Sequence, residues 1–213
     1  MEHKNKLVEE YIIKNGKIAN ADEARKLFRD VGYKGSNAAA VQEVSSDLNK
    51  EVWRTLLKNK GDTALIYAGG SGTGKSSAIK GLISEEIEDA AAILDGNLSK
   101  MKSATERILE AEKARKKIVI PYVYRNPLES FVEGVVKRSL KNAEEAGRIV
   151  PTKILAENHI SSWNVINELS KKGKYKILFI NNTFRNPKNA RFMTVDEFKN
   201  IKYAKVLLRG RHI

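Results

Sequence analysis

Cysteine is absent from this 213-residue chain, so disulfides, thiolate metal sites and cysteine nucleophiles are all excluded. Histidine is scarce, and His3, His159 and His212 show no metal-ligand spacing. No apolar run approaches membrane-spanning length, and Met1-Glu2-His3-Lys4-Asn5-Lys6 leads into no signal-like apolar core. The expected location is therefore cytoplasmic, without membrane contact. Acidic charge is in deficit: the net charge is +13, and residues 171–213 hold twelve Lys/Arg against Asp196 and Glu197. That basic stretch fits either a surface for a polyanion, such as nucleic acid or an acidic protein, or a solvated face that aids solubility. Aromatic residues, 7% of the chain, are not interleaved with the basic ones in a base-stacking pattern, which favours the solvated face. The 41% of hydrophobic residues suffices for one domain with a real core.

What is present is a phosphate-cradling pattern. Gly69-Gly70-Ser71-Gly72-Thr73-Gly74-Lys75-Ser76 fits G-x-x-x-x-G-K-[ST]. The run 63–68 before it is apolar and β-prone, and residues 77–83 after it suit a helix. Strand, glycine loop and helix together bring backbone amides and the positive end of a helix onto phosphate oxygens. The loop and Ser77 are expected to bind ATP or GTP, with Lys75 reaching the β/γ-phosphates and Ser76 ligating Mg²⁺.

Residues 1–60 read as a helical N-terminal extension packed on the core, with helices over 6–14, 20–28 and 36–57. In the third, Val41, Val44, Leu48, Val52 and Leu56 recur at three- and four-residue spacing. In the second, Asn20 precedes acids in the first turn and Lys/Arg later, which predicts a capped helix. Strand candidates then fall at 63–68, 91–95, 117–124 and 176–181, with a weaker one at 203–208. Helical stretches lie between, at 75–88, 99–116, 127–146 and 157–171. This alternation predicts an α/β, P-loop NTPase-like three-layer fold with a mainly parallel sheet. The core is expected over 61–185, a lid around 127–151, and a basic C-terminal segment over 186–213. Pro121 suggests that its strand is an edge or carries a bulge.

In such sheets ligands bind beyond the carboxyl ends of the strands. Asp95, closing the second strand candidate before Gly96, is placed to accept a proton from a hydroxyl or to hold a water of the Mg²⁺ shell, or else simply starts a turn. Asn126, Pro127 and Glu129 predict a firm helix start. Gly147 fits that helix's C-terminal position. Arg138 and Arg148 bracket the helix end and suit a lid over a transferring phosphoryl group. Asn181-Asn182-Thr183 is expected to line the crevice, Trp163 to be core, and His159 to be a capping or surface histidine.

The phosphate loop, Leu94-Asp95-Gly96-Asn97-Leu98, Tyr122-Val123-Tyr124-Arg125-Asn126-Pro127, Gly147-Arg148-Ile149-Val150-Pro151 and His159 together resemble the zeta-toxin-like P-loop kinases, closest to the branch in phages and mobile elements. Asp22-Glu23-Ala24-Arg25-Lys26-Leu27-Phe28 with Gly32-Tyr33 resembles that branch's helical lead-in. The resemblance implies ATP- or GTP-dependent phosphorylation of a hydroxyl on a small anionic acceptor, with nucleotide-activated amino sugars as the best-known acceptors. It assigns Lys75 and Ser76 to phosphate and Mg²⁺ and Arg138 and Arg148 to the lid. Asn97, Arg125 and His159 are further candidates for substrate contacts. An antitoxin-like protein partner is a further expectation. The chain departs from the toxins proper in one respect. They carry two acidic strand ends between phosphate loop and lid, and here Asp95 stands alone. Two other readings follow from the residues: a polynucleotide kinase using the basic C-terminal segment, and a non-catalytic nucleotide-binding interaction module.

Overall fold

The computed structural model describes residues 2–141, 150–183 and 190–203. The N-terminal part runs through α1 (Glu2–Asn15), β1 (Ile18–Asn20), α2 (Ala21–Lys26), a 3₁₀ stretch Gly35–Val41 and α3 (Gln42–Leu56). Then come β2 (Thr63–Ile66), α4 (Lys75–Leu82), α5 (Ser84–Asp89), β3 (Ala90–Asp95), α6 (Met101–Lys113) and β4 (Lys117–Tyr124). The remainder holds α7 (Pro127–Glu129), a π-helical turn Ser130–Val136, α8 (Lys137–Lys141), α9 (Thr152–Lys171), β5 (Lys176–Asn181), β6 (Arg191–Phe192) and α10 (Val195–Lys199).

These strands make one six-stranded sheet in the order β1-β3-β2-β4-β5-β6. All neighbours are parallel except the β5–β6 pair. Alternate residues of each central strand enter different clusters. Ala64, Ile66, Ala92, Leu94, Ile118, Ile120 and Phe179 pack with α1, α3, α6, α9 and α10. Leu65, Ile93, Val119, Val123 and Ile180 pack with Ala78, Ile79 and Ile83 around α4. Burial on both faces is why these strands read as continuous apolar runs, and it gives three layers.

Four expectations need correction. First, residues 1–60 are not wholly helical: β1 joins the sheet edge beside β3, with Ile18, Ala19 and Asn20 in register with Ile93, Leu94 and Asp95. Tyr11 anchors it, its hydroxyl accepting from Asn20 N–H at 2.9 Å and lying 3.0 Å from Ile18 O. Second, Pro121 sits in a central strand. The β2–β4 register runs to Leu65↔Val119 and resumes at Ala68↔Tyr122. The gap falls where Pro121 has no N–H to give, so the ladder skips one bond instead of ending. Third, the core expected over 61–185 continues past 185 into the described part of the basic C-terminal segment. β6 pairs with β5, and Phe198 of α10 is fully buried against Phe179, with ring centroids 4.5 Å apart. Fourth, Val44 is 55% exposed, while Ser45 and Asn49 of α3 are buried, so the buried sector of that helix is rotated from the apolar stripe. Of the strand expected at 203–208, Tyr203 lies in no strand and 204–208 lie outside the described residues. Among the described residues no helix is long and apolar enough to cross a membrane.

Candidate functional site

The chain leaving β2 stays pinned between its neighbours. Tyr67 N–H bonds Leu94 O and Ala68 N–H bonds Pro121 O, both at 2.9 Å. Gly69 N–H then lies within reach of Ser162 Oγ at 2.9 Å and Asn97 O at 3.2 Å. Residues 69–74 cross the carboxyl ends of the central strands, and α4 begins with Ala78 N–H on Gly74 O at 3.0 Å. The amides of Lys75, Ser76 and Ser77 thus have no intrahelical acceptors. They open into a cleft of about 1090 Å³.

Helix α9 braces the loop from behind. Ser162 takes Gly69 N–H, Asn158 Nδ2 lies 3.3 Å from Ser71 Oγ, and His159 Nε2 lies 3.0 Å from Ser71 O. A carbonyl can only accept, so the ring carries its proton on Nε2. A Cβ on Gly70 would stand 2.2 Å from the His159 ring, which is why the loop must be bare there. His159 is 1% exposed, a buried prop and not the capping or surface residue expected. It lies behind the loop, outside the cleft lining, so a substrate contact is not its place. Burial, helped by the Lys75 charge and opposed by the bond to Ser71, pushes its pKa from 6.5 down to about 4. Folding therefore favours the neutral ring. Its contribution to stability is complete above pH 6.5 and falls as pH drops from 6.5 toward 4. Denaturant midpoints measured across that window should fall less steeply in His159→Phe than in the wild type, and equal slopes would refute the assignment.

The opposite side of the loop meets the π-helical turn. Gly72 has φ 77°, and a Cβ there would lie 2.3 Å from Ser130 O. A Cβ on Gly134 would lie 2.2 Å from Gly72 O, so loop and turn touch backbone to backbone. Single π turns are a frequent companion of functional sites because the extra residue redirects the helix.

Lys75 folds over the loop. Its Nζ donates to Gly69 O at 3.2 Å, Gly70 O at 3.1 Å and Asn97 Oδ1 at 2.9 Å. Burial pushes its pKa down, against the opposing pull of Asp95 and Asp22. Ser76 Oγ donates to Asp95 Oδ2 at 3.2 Å, and the same oxygen accepts from Asn20 Nδ2 at 3.0 Å. Asn20 also caps α2, its Oδ1 accepting from Asp22 N–H at 2.7 Å, as the sequence predicts. The end of β1 and the start of α2 thus bring Asn20 and Asp22 to the cleft that Asp95 lines.

The structure gathers Lys75, Ser76, Ser77, Asp95, Asn97, Arg125, Arg138 and Asn182 around that cleft. Arg125 is buried, its Nε 3.7 Å from Glu129 Oε2. Asn126 caps α7 through Leu128 N–H at 2.9 Å, but Glu129 Oε2 has no hydrogen-bond partner, so its expected capping role is not seen. Arg148 and Gly147 lie outside the described residues. Cleft residues given no site role from sequence include Asn20, Asp22, Arg25, Asn49 and Arg107. Their only legible signals were the Asn20 cap, which looks the same on any helix, and the place of Asp22 and Arg25 in the helical lead-in. The basic C-terminal stretch is partly neutralised: Lys171 pairs with Glu168, Lys174 with Glu112 and Arg191 with Glu197. No protein-family model matches the chain, and no curated protein matches it.

Proposed function

We propose that this chain is a zeta-toxin-like P-loop kinase that transfers the γ-phosphoryl group of ATP or GTP to a hydroxyl of a small anionic acceptor. One observation carries the reading. Beside the open amides of α4, Lys75 lies on loop carbonyls and Ser76 is bonded to Asp95, so a cation, amide donors and a hydroxyl–carboxylate pair share one cleft. Ser76 Oγ and Asp95 are hard oxygen donors of the kind Mg²⁺ takes. Bound there, the ion would neutralise charge on the β- and γ-oxygens.

In this reading the acceptor oxygen forms a bond to the γ-phosphorus as the bond to the β-bridging oxygen breaks and the nucleoside diphosphate leaves. Lys75 exchanges its carbonyl partners for phosphate oxygens, and Arg138 faces the transferring group from the lid side. Asp95 already serves Ser76 and Asn20, which suits a residue that holds the metal's water. Asp22, in the first turn of α2, then takes the hydroxyl proton. The second acid, absent between loop and lid, is supplied from ahead of the loop.

The test is incubation with γ-labelled ATP, Mg²⁺ and a small-molecule cell extract. Label should appear in a small anionic product and disappear with chelation. Tight nucleotide binding with no labelled product would instead favour a non-catalytic module, and label on nucleic-acid ends a polynucleotide kinase.

A further inference from the structure

The wall of the cleft opposite the phosphate loop has a composition of its own. From α3 come Gln42, Ser46 and Asn49, at i, i+4 and i+7, so one polar stripe of that helix faces the cleft. From α6 and its start come Lys100, Ser103 and Arg107, again on one face. Arg25 of α2 stands between them, its guanidinium held by Asp22 at 2.5 Å and by Gln42 Oε1. Three of these polar residues are about nine-tenths buried: Arg25 and Asn49 are 9% exposed and Arg107 8%.

Burying such groups is costly unless their bonding is completed. Arg107 is partnered, by Glu110 at 2.9 Å. Two atoms on this wall are not: Arg25 Nε, a donor, and Asn49 Oδ1, an acceptor, are buried with no hydrogen-bond partner. A ligand that completes both must offer an acceptor and a donor, and a phosphate oxygen with a neighbouring hydroxyl supplies the two. The cations Arg25, Lys100 and Arg107 favour an anionic oxygen. Among the described residues lining the cleft the sole aromatic is Tyr67, which belongs to the chain leaving β2 and not to this wall. A nucleobase would therefore find no stacking partner here.

We propose that the α2–α3–α6 wall is the acceptor subsite and that its ligand is a phosphorylated polyol, not a base-bearing nucleotide-sugar. This rests on the reading that the phosphate loop takes the phosphoryl donor. The phosphate of the acceptor meets Arg25 and Arg107, Asn49 accepts from a hydroxyl, and a second hydroxyl is presented toward Asp22.

The loop is saturated with the non-hydrolysable analogue AMP-PNP and Mg²⁺. Glucose 6-phosphate, fructose 6-phosphate, glycerol 3-phosphate and uridine diphosphate are then titrated by calorimetry. At least one phosphorylated polyol should bind saturably, more tightly than uridine diphosphate. Arg107→Met and Arg25→Met should weaken it about tenfold or more. Because these arginines are buried, Ser46→Phe, which only fills the cleft, provides a second variant and should abolish polyol binding with AMP-PNP affinity within about twofold of wild type. Binding of no polyol, tighter binding of uridine diphosphate, or indifference to Ser46→Phe would overturn the proposal. If AMP-PNP fails to bind while a polyol still responds to these variants, the donor reading falls and the subsite stands.

Discussion

Lys75→Ala should lower phosphoryl transfer from ATP by about 10²–10³-fold or more while leaving the far-ultraviolet circular dichroism spectrum unchanged. The charge removed is the one nearest the place where phosphate negative charge would develop. The folded state loses little with it, because among the described residues Lys75 Nζ bonds only Gly69 O, Gly70 O and Asn97 Oδ1 and Lys75 belongs to neither hydrophobic cluster. Lys75→Arg serves as the control for charge alone: the larger fork has no space between three oxygens already 2.9–3.2 Å from a single nitrogen. It should recover little. Transfer by Lys75→Ala at the wild-type rate would remove this loop from the reaction.

The two carboxylates should separate in the same assay. Asp22→Asn is expected to cut turnover by about 10²–10⁴-fold with nucleotide affinity nearly unchanged, since an amide cannot take the acceptor's proton. Asp95→Asn should also cut turnover, but its effect should shrink as Mg²⁺ is raised, because in the proposed mechanism it acts through the metal's water shell. A turnover loss for Asp22→Asn that Mg²⁺ repairs, or no loss at all, would reverse the two roles. The arrangement that makes the comparison informative is the register of β1 on β3, which sets Asn20 beside Asp95, with Asp22 following in the first turn of α2 on the cleft lining.

The middle of the sheet was legible because its strands are buried on both faces. The expected 117–124 and 176–181 coincide with β4 and β5, since a run such as Lys176-Ile177-Leu178-Phe179-Ile180-Asn181 has no polar face to offer solvent. β1 was not legible for the converse reason. Ile-Ala-Asn is too short to show a period, and it is a strand only because the edge of β3 stands beside it. β6, two residues long, is the same case. The phosphate loop could be located from its own motif, and Asp95 and Asn97 from the rule that ligands sit at strand ends. The α2–α3–α6 wall could not, because a polar stripe on an amphipathic helix reads as a solvent face until another helix is placed across from it. His159 shows the limit most plainly: whether one histidine is surface or prop depends on the missing Cβ of Gly70, and no local spacing connects residues 70 and 159.

The position of β1 also sets an order of assembly. Its partner β3 lies some seventy residues later in the chain, so the contact Asn20–Asp95 closes a long loop whose entropy must be met by other contacts first. During synthesis from the N-terminus, Ile18–Asn20 is made well before the edge it will occupy. Until β3 docks beside β2, Tyr11 and α3 have no sheet to cover, and Asp22 has no cleft to face. The core strands can form without β1, but the carboxylate pair cannot. A chain caught before that last pairing would hold its glycine loop without Asn20 and Asp22 beside Asp95, with the β3 edge bare for pairing with another molecule.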